Sequence, residues 1–170
     1  MSAHLGNITT VDQLVRTLKT ATGADDYFGM LDRLSLDASA LLPFCRWNSR
    51  HYTRTSVART DDFELLVICY EPGQRTSIHD YNSQAAWIHP ISGDVLEERF
   101  AMQDDGLACT GSTVLKPGSF SALSNGQSIH RFTNTGNGLA ITLNLYARPL
   151  KQWRVYNEIT GRASVRSPNA

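Results

Sequence analysis

Two of the five histidines stand where turn-rich segments run into β-rich ones: His79 in GQRTSIHDY and His130 in NGQSIHRFTN. Neutral imidazole is the commonest side-chain ligand for iron, nickel, copper and zinc. Two strands of one barrel can bring residues far apart in sequence to a single ion. A metal centre therefore accounts for both histidines, although either alone would pass as an ordinary polar residue. The three cysteines, Cys45, Cys69 and Cys109, are odd in number, widely spaced and without a CxxC pair, which argues against a disulfide framework and a thiolate zinc site. Cys69, in the apolar run LLVICY, reads as a small core residue.

These histidines need elements to hold them. Val11, Leu14, Val15 and Leu18 recur at the spacing of one helix face, with Thr10 placed to cap the start. A second helix is expected to follow, capped by Asp25 or Asp26, with Phe28, Leu31 and Leu34 on its buried side; Pro43 then forbids further helix nearby. From Tyr52 onward the pattern changes to short β-rich runs: HYTRTSVA, FELLVICY, IHDY, AAWIHPIS, VLEERFA, STVLK, SFSALS, IHRFTN and LAITLNLYA. Turn-forming groups punctuate them at Pro72-Gly73, Ser92-Gly93-Asp94, Asp105-Gly106, Pro117-Gly118, Asn125-Gly126 and Asn137-Gly138. Such spacing predicts a barrel or sandwich. The organisation expected is one domain over 1–170, with a helical segment at 1–44, a β-barrel at 50–150 and an extension at 151–170 that lies along the barrel surface and frays at its end.

Sixteen basic and sixteen acidic residues cancel, and no long run of like charge offers a surface to nucleic acid or to a membrane. The longest apolar run, Leu65 to Tyr70, is too short to cross a bilayer, and Met1 to Thr10 lacks the pattern of a signal peptide. A cytoplasmic location is the expectation, and unpaired strand edges leave monomer and homodimer both open.

Gly73, five residues, His79, one residue, Tyr81 and then Gly93 follow the first cupin motif; Gly126, three residues, His130, three residues and Asn134 follow the second. The chain resembles the cupin superfamily and, within it, the cysteine dioxygenase family. The pieces that carry this are YTR at 52–54, SIHD at 77–80, the Gly93 turn followed by Glu98, IHR at 129–131 and NLYARP at 144–149. The resemblance implies a mainly β fold, a single jelly-roll-like cupin barrel with the N-terminal helices packed outside. It implies that His79 and His130 bind the metal and that Arg54 grips a substrate carboxylate, a task that suits a planar guanidinium with two parallel donors. It also implies Tyr146 as a catalytic pocket phenol, with Tyr52 and Trp87 as further substrate-binding residues.

The chain departs from the family around the metal. Members carry His, one residue, His on the first metal strand, because positions two apart share a face. Here the second is Tyr81. A phenol can ligate as phenolate, since a cation lowers its pKa, but an anionic oxygen donor favours ferric over ferrous iron. Alternatively Tyr81 points at the ion without bonding, and water, Gln84 or the substrate completes the shell. His89 faces opposite to Ala86 and Ile88 and is the weaker candidate for a third ligand. Ala86 stands where animal members carry the cysteine that cross-links to the pocket tyrosine, so no thioether to Tyr146 can form. Their serine, histidine, tyrosine relay is Thr142, Asn144 and Tyr146 here, and asparagine does not take up a proton as histidine does.

With the carboxylate grip retained, the expectation is a metal-dependent oxygenase of a small thiol amino acid, L-cysteine first. It would use O2 and one divalent ion, Fe(II) with Ni(II) as the alternative, to give a sulfinate or a rearranged oxidised-sulfur product. The competing readings are a non-thiol enzyme on the same barrel, a dioxygenase or isomerase, and an inactive ligand-binding cupin.

Overall fold

The computed structural model describes residues 6–81, 85–123 and 128–167, so Gln84 and the Asn125-Gly126 turn lie outside the described residues. Contacts divide the chain into two compact units, Met1–Pro43 and Phe44–Ala170. In the first unit, helix α1 (Val11–Thr20) starts with a complete capping box, in which Thr10 accepts from the Gln13 backbone N–H and Gln13 reaches back to the Thr10 N–H. Leu14 and Leu18 are its buried positions. Helix α2 (Ala24–Leu31) differs from expectation at its start: Gly23 is the cap residue, and Asp26 instead accepts from the backbone and hydroxyl of Thr22. Its buried positions are Tyr27, Met30 and Leu31, whereas Phe28 is 48% exposed. Pro43 did not exclude helix altogether. A 3-10 turn over Ala38–Phe44 contains it, because its ring needs no N–H partner there.

The second unit is a pair of antiparallel sheets. One contains β1 (Thr53–Arg59), β2 (Phe63–Tyr70), β4 (Ala86–Ser92), β7 (Ser121–Leu123) and β9 (Ala140–Ala147) in the order β1-β2-β9-β4-β7. The other contains β3 (Ile78–Asp80), β5 (Val95–Gln103), β6 (Gly106–Leu115), β8 (Ile129–Asn134), β10 (Trp153–Tyr156) and β11 (Ala163–Arg166) in the order β11-β10-β3-β8-β5-β6. The sheets face each other as a sandwich and are not closed into a barrel by hydrogen bonds among the described residues. Strand β6 is twice as long as STVLK suggested, since its pairing with β5 continues back to Gly106.

The described part of the extension, 151–167, also holds more regular structure than expected. Strand β10 pairs with β3 on one side and β11 on the other. Buried Asp80 fastens it by accepting from the Tyr156 hydroxyl at 2.6 Å and from Arg154 Nε and Nη2 at 3.1 and 2.7 Å. This is what anchors the short strand that carries His79.

Between the sheets lies an apolar cluster that includes Leu66, Ile68 and Tyr70 from β2, Ala86 and Ile88 from β4, Phe132 from β8 and Tyr146 from β9. Gly93 closes the β4–β5 turn at φ 74°, and a Cβ there would stand 2.8 Å from the Leu139 carbonyl oxygen. Glycine is required on both counts.

Candidate metal and substrate site

The register of β3 on β8 sets His79 directly opposite His130, and their ring centroids are 4.7 Å apart. Tyr81, just past the end of β3, keeps the same facing. Its ring meets His79 at 5.0 Å and His130 at 5.1 Å, each edge to face. Three potential donors are thus brought together inside the sandwich, and all three residues are buried.

The hydrogen bonds orient them. His79 Nδ1 lies 2.7 Å from the Ser77 carbonyl oxygen, which only accepts, so Nδ1 carries the proton and Nε2 keeps a lone pair. That Nε2 lies 3.0 Å from the Tyr81 hydroxyl, which donates to it. Burial, with His130 nearby as a further cause, takes the His79 pKa down to about 3, so the ring is a neutral ligand throughout the ordinary pH range. Burial likewise lowers the His130 pKa and pushes the Tyr81 phenol well above its usual value.

His130 supplies the strongest indication of what belongs here. It is completely buried; its Nε2 has no hydrogen-bond partner among the described residues, and its Nδ1 faces the Glu97 carboxylate at 3.4 Å. An orphaned imidazole nitrogen is costly to bury, and a metal ion would satisfy it. The 3.0 Å hydrogen bond holds His79 Nε2 and the Tyr81 oxygen side by side, where both could serve one ion. These residues fit a metal. No group of three His, Cys, Asp or Glu occurs among the described residues, so the third protein donor in reach is the Tyr81 phenol.

A relay of polar side chains ends at the same point. Thr142 Oγ1 donates to Asn144 Oδ1 at 2.8 Å, Asn144 Nδ2 donates to the Tyr146 hydroxyl at 3.3 Å, and that hydroxyl donates to Tyr81 at 3.4 Å. All four side chains are buried. Alternation along β9 places residues 142, 144 and 146 on one face.

Arg54 comes in from β1, in an exposed position at the mouth, and its guanidinium lies over the Trp153 ring at 5.6 Å. It lines a cavity of about 30 Å³ together with Tyr52, His79, Tyr81, Tyr146 and Trp153. Arg54, Leu150 and Trp153 also border a wider groove of about 320 Å³ that opens past Arg59 and Glu64. Tyr52 stacks on Tyr70, with ring centroids 5.5 Å apart, and so stands beside Arg54 in the pocket wall.

Trp87 requires correction. It pairs with Leu145, between Ala86↔Tyr146 and Ile88↔Asn144, so alternation turns it to the face opposite Tyr146, and it does not line the pocket. His89 shares that far face and stacks on Phe120 at 4.9 Å. Glu98 also faces away from the site, and Arg131 grips it through Nε and Nη2 at 2.7 and 3.1 Å.

One pocket residue and one neighbour of His130 were not expected from the sequence. Trp153 lies in the segment read as a surface extension. Glu97, 3% exposed, points inward beside His130; an acid two positions from apolar Val95 on a half-buried strand was the signal available.

A family model described as cysteine dioxygenase type I matches residues 5–159. The chain is 22% identical over 163 residues to a protein from Danio rerio named cysteine dioxygenase type 1, covering 89% of this chain and 81% of that one. It is 21% identical to the protein of the same name from Homo sapiens, covering 95% and 91%. Among solved structures, a protein with a double-stranded β-helix domain from Klebsiella pneumoniae superposes with TM-score 0.55 at 20% identity, over 74% of this chain and 85% of that one. A sugar phosphate isomerase of the cupin superfamily from Silicibacter pomeroyi gives TM-score 0.52 at 16% identity, over 70% and 78%. Both have the same fold.

Proposed function

We propose that this chain, which belongs to the cysteine dioxygenase type I family and is an oxidoreductase, uses dioxygen to oxidise the sulfur of a small amino-acid thiol, with L-cysteine as substrate. The observation that carries the reading is the fully buried His130 imidazole, its Nε2 unpartnered among the described residues, packed against His79 and Tyr81, which line one pocket with the Arg54 guanidinium. His79, His130 and Tyr81 would hold one divalent ion, Fe(II) with Ni(II) as the alternative, because an imidazole and phenol set discriminates poorly among such ions. When bound, the ion keeps the thiol as thiolate at neutral pH and activates dioxygen.

The remaining work falls to side chains. Arg54 binds the substrate carboxylate with two parallel hydrogen bonds, and its stack on Trp153 restricts where the guanidinium can point. This fixes the distance from carboxylate to sulfur and so aims the thiol at the histidines. Tyr146, held by Asn144 and Thr142, presents a phenol O–H as a donor to the reacting oxygen atoms. Asn144 stays neutral throughout, so it orients Tyr146 without exchanging a proton. Ile68, Phe132 and Leu150 in the pocket wall limit water around the reacting atoms.

Formation of a sulfinate adds both atoms of one dioxygen to sulfur, and the thiol proton is retained on the product or released to solvent. The protein is loaded with iron anaerobically and then given cysteine and oxygen, and mass spectrometry of the product tests this. Cysteine sulfinate, heavier by two oxygen atoms, is expected for the family's reaction. A rearranged oxidised-sulfur product would mean that Tyr81 redirects the chemistry, and unchanged cysteine would contradict the proposal.

A further inference from the structure

Glu97 is the one carboxylate turned toward the histidine cluster among the described residues. In the register of β5 on β8 it pairs with Phe132, while Arg99 pairs with His130; Glu97 therefore sits diagonally across from His130 on the inner face. An acid buried to this degree is costly unless it is partnered. Its partners converge from three strands: the Ser121 hydroxyl donates to Oε1 at 2.9 Å, Arg99 Nη2 approaches Oε2 at 3.4 Å, and His130 Nδ1 lies 3.4 Å from Oε1. Ser121 is itself tied to Arg99 at 3.2 Å, so the carboxylate is braced on the side away from the histidine and cannot readily turn elsewhere.

We propose that Glu97 is a positioning residue: it accepts from His130 Nδ1–H and thereby holds the Nε2 lone pair toward His79 and Tyr81, where a metal ion binds. This rests on the metal-centre reading above and goes beyond it. Ligating histidines commonly hand their second nitrogen to a carboxylate or carbonyl, which fixes the tautomer and strengthens the donor. The two histidines here are served differently. His79 has the neutral Ser77 carbonyl, whereas His130 has an anion. A second charge behind one ligand is the kind of support a site with two imidazoles and a phenol requires.

The test uses the full-length, metal-free protein first. Long-range 1H–15N spectra report which nitrogen of His130 carries hydrogen. The proposal requires the Nδ1–H tautomer, and an Nε2–H tautomer overturns it. The dissociation constant for Ni(II) is then measured by competition with a chromogenic chelator for the wild type, Glu97→Gln and Glu97→Asp. Glu97→Gln should weaken binding roughly 10–100-fold, Glu97→Asp by less, with the thermal midpoint of the metal-free proteins little changed. Equal affinity in all three overturns the proposal, as does a loss of midpoint that accounts for the whole effect. A wild type that binds no metal overturns the reading beneath it as well, which separates the two failures. If Glu97→Gln does not fold, Ser121→Ala, which removes only the 2.9 Å brace, should shift affinity in the same direction.

Discussion

Tyr81 keeps the facing of His79, two positions before it, and brings a phenol where a third imidazole would offer a nitrogen. A phenol buried between two imidazoles is neutral without a cation, since burial holds its proton on; with a cation it becomes an anionic donor. Tyr81→His should therefore raise affinity for Fe(II) relative to the wild type, by about 10-fold or more, as read by chelator competition under anaerobic conditions. Unchanged affinity would mean that Tyr81 does not ligate. Arg54→Ala should raise KM for cysteine about 10–100-fold, the value of a charged hydrogen-bonded pair of about 1.5–3 kcal/mol, with a smaller effect on kcat. Steady-state oxygen uptake checks the split, and Arg54→Lys should recover part of the loss. At this scale His79, His130, Arg54 and Tyr146 were legible because each sits in a short motif. Glu97 and Trp153 were not, since a lone acid or tryptophan in a strand carries no signature until the register is known.

Strands set which of these side chains meet. Alternation decides the fate of β4, where Ala86 and Ile88 face the pocket cluster and Trp87 and His89 face away. Counting by twos was enough to set His89 aside, and the same count, applied to Trp87, gives its outward facing. His89 has a different consequence. Burial takes its pKa from 6.5 down to about 4, so between these values the unfolded chain binds a proton that the folded one does not, and stability falls as pH drops. His89→Phe, which keeps the stack on Phe120, should flatten the fall in urea stability between about pH 6.5 and 4; His79 and His130, whose pKa values burial also lowers, contribute to the residual slope. An unaltered slope would show that His89 is not buried neutral. Strand β10 shows what periodicity could not supply. Its four residues are too few to stand out, and it becomes a strand by pairing with β3, whose Asp80, seventy-four positions before Arg154, also fastens it through side chains.

Across the whole second unit, the two sheets work as a clamp. One sheet contributes the facing histidines on β3 and β8; the other contributes Arg54 on β1 and the Thr142–Asn144–Tyr146 relay on β9. The β-rich half of the sequence made a sandwich or barrel legible, because turn residues recur between short alternating runs. Which strands sit side by side was not, because β3 meets β8 and β2 meets β9 only through contacts far apart along the chain. The proposed function places the metal on one sheet, the carboxylate grip on the other and the thiol between them. Oxygen consumption with L-cysteine, measured against the iron content of the same protein samples, tests it most directly. The account predicts uptake that rises in proportion to bound iron and levels off at one ion per chain, and that is lost in His130→Ala. Uptake that ignores iron content, or none from a protein carrying one ion per chain, would contradict it.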